Sequence, residues 1–287
     1  MRFAFKTANQ YSTWAEILAV WKEADAIELF ESGWLFDHFY PINSPKQPEP
    51  DLTGPCLEGW TMLAALAQAT TRLRLGLLVT GIHYRHPAVL AKMAATTDII
   101  SGGRLELGVG AGWNEQESGA YGIELGTMRE RLDRFDEACD VIVSMLSQEV
   151  TDYDGEYFKL SEARCEPRPV QVPHPPIVIG GVGEKRILPA VARHAQQWDA
   201  SAAVVTGDFP HKLAVLRAQC REIGRDPDEI TTSSHIWFDP AEHEIGHVVE
   251  ESRRLEDLGV NLAIVYLAPP ISPTVLRPLA DALAPLR

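Results

Sequence analysis

The stretch Leu73-Arg74-Leu75-Gly76-Leu77-Leu78-Val79-Thr80-Gly81-Ile82-His83-Tyr84-Arg85-His86-Pro87 carries a complete strand-to-helix transition. The apolar run over residues 73–80 reads as a buried strand. It gives way to a polar aromatic cluster, His83, Tyr84 and Arg85, and Pro87 then stands where a helix would start, a position that needs no N–H donor. His86 is placed to cap that helix. The next unit, Ser101-Gly102-Gly103-Arg104-Leu105-Glu106-Leu107-Gly108-Val109-Gly110-Ala111-Gly112-Trp113-Asn114-Glu115, repeats the grammar with a strand over 104–109. Gly108, Gly110 and Gly112 alternate at its end, where missing Cβ atoms let a flat ring lie against backbone. The spacing is not the G-x-G-x-x-G of a dinucleotide fold.

Outward from these two units the same alternation spans the chain. Further strands are expected at 2–6, 33–36, 176–179, 197–200, 230–237 and 261–266. Between them Leu132, Phe135, Cys139, Ile142 and Leu146 follow helical spacing, as do Leu213, Leu216, Cys220 and Ile223. About eight βα units without a break in composition predict one α/β domain over 1–287, a (β/α)8 TIM barrel. Two irregular stretches are expected as insertions at the C-terminal mouth: proline-rich 38–59, and 151–175, where Asp154-Gly155 between tyrosines predicts a hairpin.

Bulk composition narrows the function. The 287 residues are 45% hydrophobic and 23% charged, an ordinary globular balance. Forty acidic against 26 basic residues give a net charge of -14, which argues against a nucleic-acid partner and for a small molecule. No membrane-length apolar run and no signal-type segment are present, so a cytoplasmic protein is expected. Cys56, Cys139, Cys165 and Cys220 form no C-x-x-C pair and are expected as reduced thiols.

In such a barrel the chemistry gathers where the strands end. Phe36-Asp37-His38-Phe39 puts a carboxylate and an imidazole after the second strand, and His38 is the leading acid/base candidate, with Asp37 beside it. Glu115 at the same rim is the second choice. His83, Tyr84 and Arg85 are expected to face substrate. Gly180, Gly181, Val182 and Gly183 lead from a strand into a helix, a natural anion cradle for a phosphate. His243-Glu244-Ile245-Gly246-His247 matches the zinc-hydrolase pattern H-E-x-x-H. Gly246 weakens the helix, Asp239-Pro240 lies just upstream, and no third ligand stands at a signature spacing, so no metal is expected; a zinc hydrolase is the distant alternative.

Taken together, Phe36-Asp37-His38-Phe39, Tyr84-Arg85-His86-Pro87, Ser101-Gly102-Gly103-Arg104 with Leu107-Gly108-Val109-Gly110-Ala111-Gly112-Trp113, and Ile179-Gly180-Gly181 resemble the luciferase-like monooxygenase superfamily. The 101–113 block is particularly similar to members using the deazaflavin coenzyme F420. The resemblance implies a tricyclic ring in the barrel mouth, bound by Leu78, Val79, Gly110, Ala111 and Gly112 and backed by a non-prolyl cis peptide at Leu78-Val79. It implies hydride transfer between coenzyme F420 and a small organic substrate, with Lys185, Arg186 and Arg193 available to the cofactor's oligoglutamate tail. The alternative is an FMN-dependent two-component monooxygenase, which would call on a separate cofactor-reducing enzyme. A homo-oligomer is compatible with either.

Overall fold

The computed structural model describes residues 1–45 and 47–287. β1 (Arg2–Thr7) leads into α1 (Trp14–Asp25), β2 (Phe30–Leu35) into α2 (Gly59–Ala69), and β3 (Arg74–Leu77) through the short β4 (Thr80–Gly81) into α3 (Pro87–Ser101). β5 (Leu105–Gly110) precedes α4 (Glu115–Ala120), α5 (Met128–Ser147) and a hairpin of β6 (Thr151–Asp154) and β7 (Lys159–Ala163). The chain continues through β8 (Ile177–Gly180), α6 (Ile187–His194), β9 (Gln197–Asp199), α7 (Ser201–Thr206) and α8 (Phe209–Glu222). It finishes with β10 (Thr231–Phe238), α9 (Ile245–Asp257), β11 (Leu262–Leu267) and α10 (Leu276–Leu283). Parallel pairing runs β1, β2, β3, β5, β8, β9, β10, β11 and returns to β1, so eight strands close a TIM barrel.

Alternation along each strand separates two cores. On β1, Phe3 and Phe5 point out against the helices, while Ala4 points in with Trp34, Leu78, Val178, Leu262 and Ile264. Gly76 makes room for that interior: a Cβ there would come 2.6 Å from the Trp34 ring. The outer helices start as their sequences dictate. Pro87 opens α3, and His86 Nδ1 accepts the Ala88 N–H at 3.2 Å as its cap.

Three expectations shift. The 73–80 run is two strands, because the chain bulges at a cis Leu78-Val79 peptide and pairs again only at Thr80. β2 starts earlier than expected, at Phe30, which is fully buried. The hairpin forms around Asp154-Gly155 but lies along the outside of α3 and α5, and none of its residues lines the cavities described below. Glu137 of α5 accepts the N–H groups of Glu156, Tyr157 and Phe158, and Asp98 of α3 accepts those of Val170 and Gln171. A segment joining the end of a helix to the next strand starts from the closed face of the barrel, away from the mouth.

That closed face is sealed by arginines. The last carbonyls of a helix have no partner within it and carry partial negative charge, so a guanidinium fork suits them. Arg72 donates to Ala24 O, Asp25 O, Ile27 O and Phe30 O at 2.8–3.0 Å around the end of α1. Arg104 reaches Ala67 O, Thr70 O, Leu73 O and Ser101 O at 2.7–2.9 Å around the end of α2. Arg225 does the same for Ala192 O and Ala195 O after α6. Ser101-Gly102-Gly103-Arg104 is therefore an architectural joint, at the opposite end of β5 from the glycines that follow it.

Candidate active site

Two adjoining cavities open at the C-terminal mouth. The larger, about 470 Å³, is lined by all the residues expected at a cofactor: Leu78, Val79, Gly110, Ala111, Gly112, and the run Gly180, Gly181, Val182 and Gly183. Its walls are shaped by absent side chains. A Cβ on Gly110 would lie 2.7 Å from a Val79 methyl, and one on Gly108 would overlap the Leu77 carbonyl that the bulge turns toward β5. Gly181 has φ +113, a conformation that L side chains rarely adopt. Beyond these glycines α6 begins without a side-chain cap, which leaves its first N–H groups suited to an anion. Of the basic residues expected nearby, Arg186 is held by Asp133 and Arg193 by Asp136; Lys185 is exposed.

The smaller cavity, about 220 Å³, shares Leu78, Val79, Gly112 and Trp113 with the first and adds His38, His83 and Tyr84. His38 Nδ1 lies 2.8 Å from Glu117 Oε2, and the Tyr84 hydroxyl bonds to the same oxygen. Glu117 Oε1 accepts the backbone N–H groups of Phe39 and Tyr40. The carboxylate has no exposed surface. Burial alone would push its pKa up, but the bonds from His38, Tyr84 and Phe39 outweigh it and hold the group below the usual range, so it is ionised. An ionised carboxylate only accepts, hence Nδ1 carries the imidazole proton and Nε2 is left to exchange one. Burial, then the Glu117 contact, drives the Tyr84 hydroxyl upward, so it stays a neutral donor.

The other expected site residues take different places. Asp37 is fully buried and gripped by the Arg85 fork, at 2.5 and 3.1 Å, and Arg85 also reaches Glu58 at 2.6 Å. Burial raises the Asp37 pKa while Arg85 opposes the rise. Both residues thus tie the end of β2 to the loop before α3, and Arg85 does not line either cavity. His83 does: its ring sits where a Cβ on Gly81 would lie 2.5 Å away, with Gly112 on the other side, and burial lowers its pKa to about 4. Glu115 is exposed at the first turn of α4. His243 and His247 stack at 4.5 Å at the start of α9, and no group of three metal-ligating side chains gathers among the described residues.

The far wall of the larger cavity carries a second carboxylate and imidazole. Asp199 Oδ2 lies 3.1 Å from His235 Nε2, and Asp199 Oδ1 accepts the Ser201 N–H at 3.0 Å. Although burial opposes ionisation, His235 and Ser201 bring the Asp199 pKa down to about 2.

A family model described as luciferase-like monooxygenase matches residues 1–260. The chain belongs to the luciferase-like monooxygenase family. It is 32% identical over 217 residues to a phthiodiolone/phenolphthiodiolone dimycocerosates ketoreductase of Mycobacterium kansasii, a match covering 71% of this chain and 58% of the relative. The chain spans about half the length of the curated relatives it matches. Its fold is similar to an F420-dependent secondary alcohol dehydrogenase in complex with an F420-acetone adduct, with TM-score 0.82, 18% identity, and coverage of 100% of this chain and 99% of the other. It is equally similar to a monooxygenase from Streptomyces bottropensis, with TM-score 0.81, 20% identity and the same coverage. No described helix of this luciferase-like chain is long and apolar enough to cross a membrane.

Sequence reasoning missed Glu117, Asp199 and His235. Glu117 was within reach: Asn114 caps α4, its side chain accepting the Glu117 N–H at 3.1 Å, which places Glu117 at the third helical position, facing back over the cap. For Asp199 and His235 the signal was weaker, since Asp199 ends a three-residue strand, His235 lies mid-way along β10, and the two are distant in sequence.

Proposed function

We propose that this luciferase-like oxidoreductase transfers a hydride between the deazaflavin coenzyme F420 and a small organic substrate. One observation carries the reading: the glycine-walled cleft at the Leu78-Val79 bulge opens directly onto an imidazole held by a buried, ionised carboxylate. Leu78 and Val79 would back the cofactor, Gly110, Ala111 and Gly112 would flank it, and Gly180 to Gly183 with the start of α6 would take its phosphate. Bound there, the cofactor supplies or accepts the hydride. His38 supplies the matching proton: Glu117 holds Nδ1–H, so Nε2–H is donated to a carbonyl oxygen as it becomes a hydroxyl, or Nε2 takes the proton in reverse. Tyr84 fixes the Glu117 oxygen that orients the ring.

Support for deazaflavin over FMN comes from this proton-transfer pair, which carbonyl and alcohol chemistry requires, and from the likeness to a ketoreductase and to an F420-dependent alcohol dehydrogenase. The FMN-dependent monooxygenase reading, with a separate reductase, draws on the equal likeness to the Streptomyces enzyme. Titrating purified protein with coenzyme F420 and with FMN, followed by fluorescence, decides between them. Tighter deazaflavin binding is expected. Micromolar FMN binding without measurable deazaflavin binding overturns the proposal.

A further inference from the structure

The innermost end of the smaller cavity is formed by a lysine. Side chains on β1 alternate, and Lys6 is the inward position one step nearer the mouth than Ala4. It is 6% exposed. Its ammonium lies 4.7 Å from the centre of the Tyr266 ring and 5.9 Å from that of Phe36. Its one hydrogen bond among the described residues is a long one, 3.3 Å to Leu78 O, and it enters no ion pair there. An ammonium carries three donors and a full charge. Removing it from water is costly unless a counter-charge meets it, and aromatic faces offset only part of that cost.

Charged groups around it do not close the gap. On β9 Asp199 attracts it from a distance, on β11 Tyr266 offers only its ring face, and across the cavity His38 is engaged with Glu117. Burial accordingly brings the Lys6 pKa down to about 8, and the group still carries its proton at neutral pH. The free donors face a space walled by Phe36, Ile42, Leu78 and Trp113, with His38 at its side. At about 30 Å³ for each water, 220 Å³ holds about seven waters, the scale of a small aromatic or branched acid.

We infer that Lys6 is a substrate-binding residue that selects small organic acids, its ammonium pairing with the substrate carboxylate while the reacting carbon stays beside His38. The assignment rests on the reading of the adjoining cleft as the cofactor site. A full negative charge is what compensates a desolvated ammonium; a neutral carbonyl would leave most of the cost in place.

The test uses purified protein, benzoate as probe and benzamide as its uncharged counterpart, with calorimetry at pH 6.5 and 9.5. Benzoate is expected to bind at least tenfold tighter than benzamide at pH 6.5, and to lose that advantage at pH 9.5, above the Lys6 pKa. Lys6→Met, which keeps the length of the side chain, should abolish the preference, raise Tm because an uncompensated buried charge is gone, and leave cofactor affinity within about twofold. Equal binding of the two probes, or a preference that survives in Lys6→Met, overturns the assignment. So does a Lys6→Met protein that melts lower and loses cofactor, which makes the lysine part of the cofactor wall. Cofactor titration of the parent protein separates the two readings: no binding of either cofactor removes the redox proposal alone, while benzoate without preference removes the Lys6 assignment alone.

Discussion

Nδ1 of His38 lies 2.8 Å from Oε2 of Glu117, a carboxylate that also accepts from the Tyr84 hydroxyl and two backbone N–H groups. Glu117→Gln keeps one accepting oxygen and turns the other into an NH2 donor, which must then face either His38 and Tyr84 or the two backbone N–H groups. Turnover should fall by about 10² while the fold persists, since the site keeps its shape. Glu115→Gln, two residues away and exposed, should behave as the parent. Steady-state kinetics of the two variants side by side checks this, and equal losses would remove Glu117 from its positioning role.

His38→Ala is expected to lower turnover by roughly 10²–10⁴ with cofactor affinity little changed, because the glycine cradle lies on other strands. The comparison is made at saturating cofactor and substrate. Parental turnover there excludes His38 as the proton carrier.

Glycines of the cleft divide by what surrounds them. A Cβ on Gly180 would lie 3.5 Å from both Val79 methyls, an ordinary contact without backbone strain. Gly180→Ala should leave stability within about 0.5 kcal/mol yet weaken cofactor binding tenfold or more by occupying the wall. Gly112 has φ +84 and faces the His83 ring, so Gly112→Ala should cost about 1–3 kcal/mol of stability as well. Thermal melts with cofactor titrations read both effects.

Arg104→Ala strips the donors from Ala67 O, Thr70 O, Leu73 O and Ser101 O. The loss is expected to be at least about 2 kcal/mol, with saturated turnover unaffected because the mouth is at the other end of the strands. Denaturant unfolding and kinetics on the same preparation test it; a fall in turnover without a fall in stability contradicts the assignment.

His83 makes stability depend on pH in a known direction. The folded imidazole takes its proton only near pH 4, the unfolded one near 6.5, so acidification favours the unfolded chain. The His83 contribution is intact above pH 6.5 and is lost progressively as pH falls toward 4. Tm of the parent should therefore drop more steeply across that window than Tm of His83→Phe, and parallel curves would refute it.

All eight barrel strands were legible: most write themselves as short apolar runs bounded by turns, while β9 and β10 stand out by β-branched and aromatic residues or by their place in the alternation. The interruption after Leu77 was not legible from periodicity, since Leu78 and Val79 are as apolar as the strand they break; resemblance alone pointed to it. His38 could be read from its place at a strand end. Glu117, the carboxylate that holds it, was not read: it differs from Glu115, the second acid/base choice, in the direction it faces around α4, and that depends on where Asn114 sets the first turn. Arg85 illustrates the converse. A cation after a strand end looks like a substrate-facing group in one dimension, yet this one is engaged by the Asp37 and Glu58 carboxylates. Lys6 was passed over because a single lysine in a strand carries no pattern, and only closure of the barrel turns it inward.

The arginines across the closed face have an evolutionary corollary. Arg72, Arg104 and Arg225 fasten α1, α2 and α6 to the strand layer by backbone carbonyls, which every residue possesses, so the fastening is indifferent to the side chains it holds. Loops at the opposite rim are thereby relieved of much of that task, the Asp37–Arg85 pair keeping its own tie there. Selection is free to rewrite residues 39–45 and 47–57 and the wall around Trp113 for a new substrate, and a lineage exploring such changes does so without loosening the joints that keep the barrel shut.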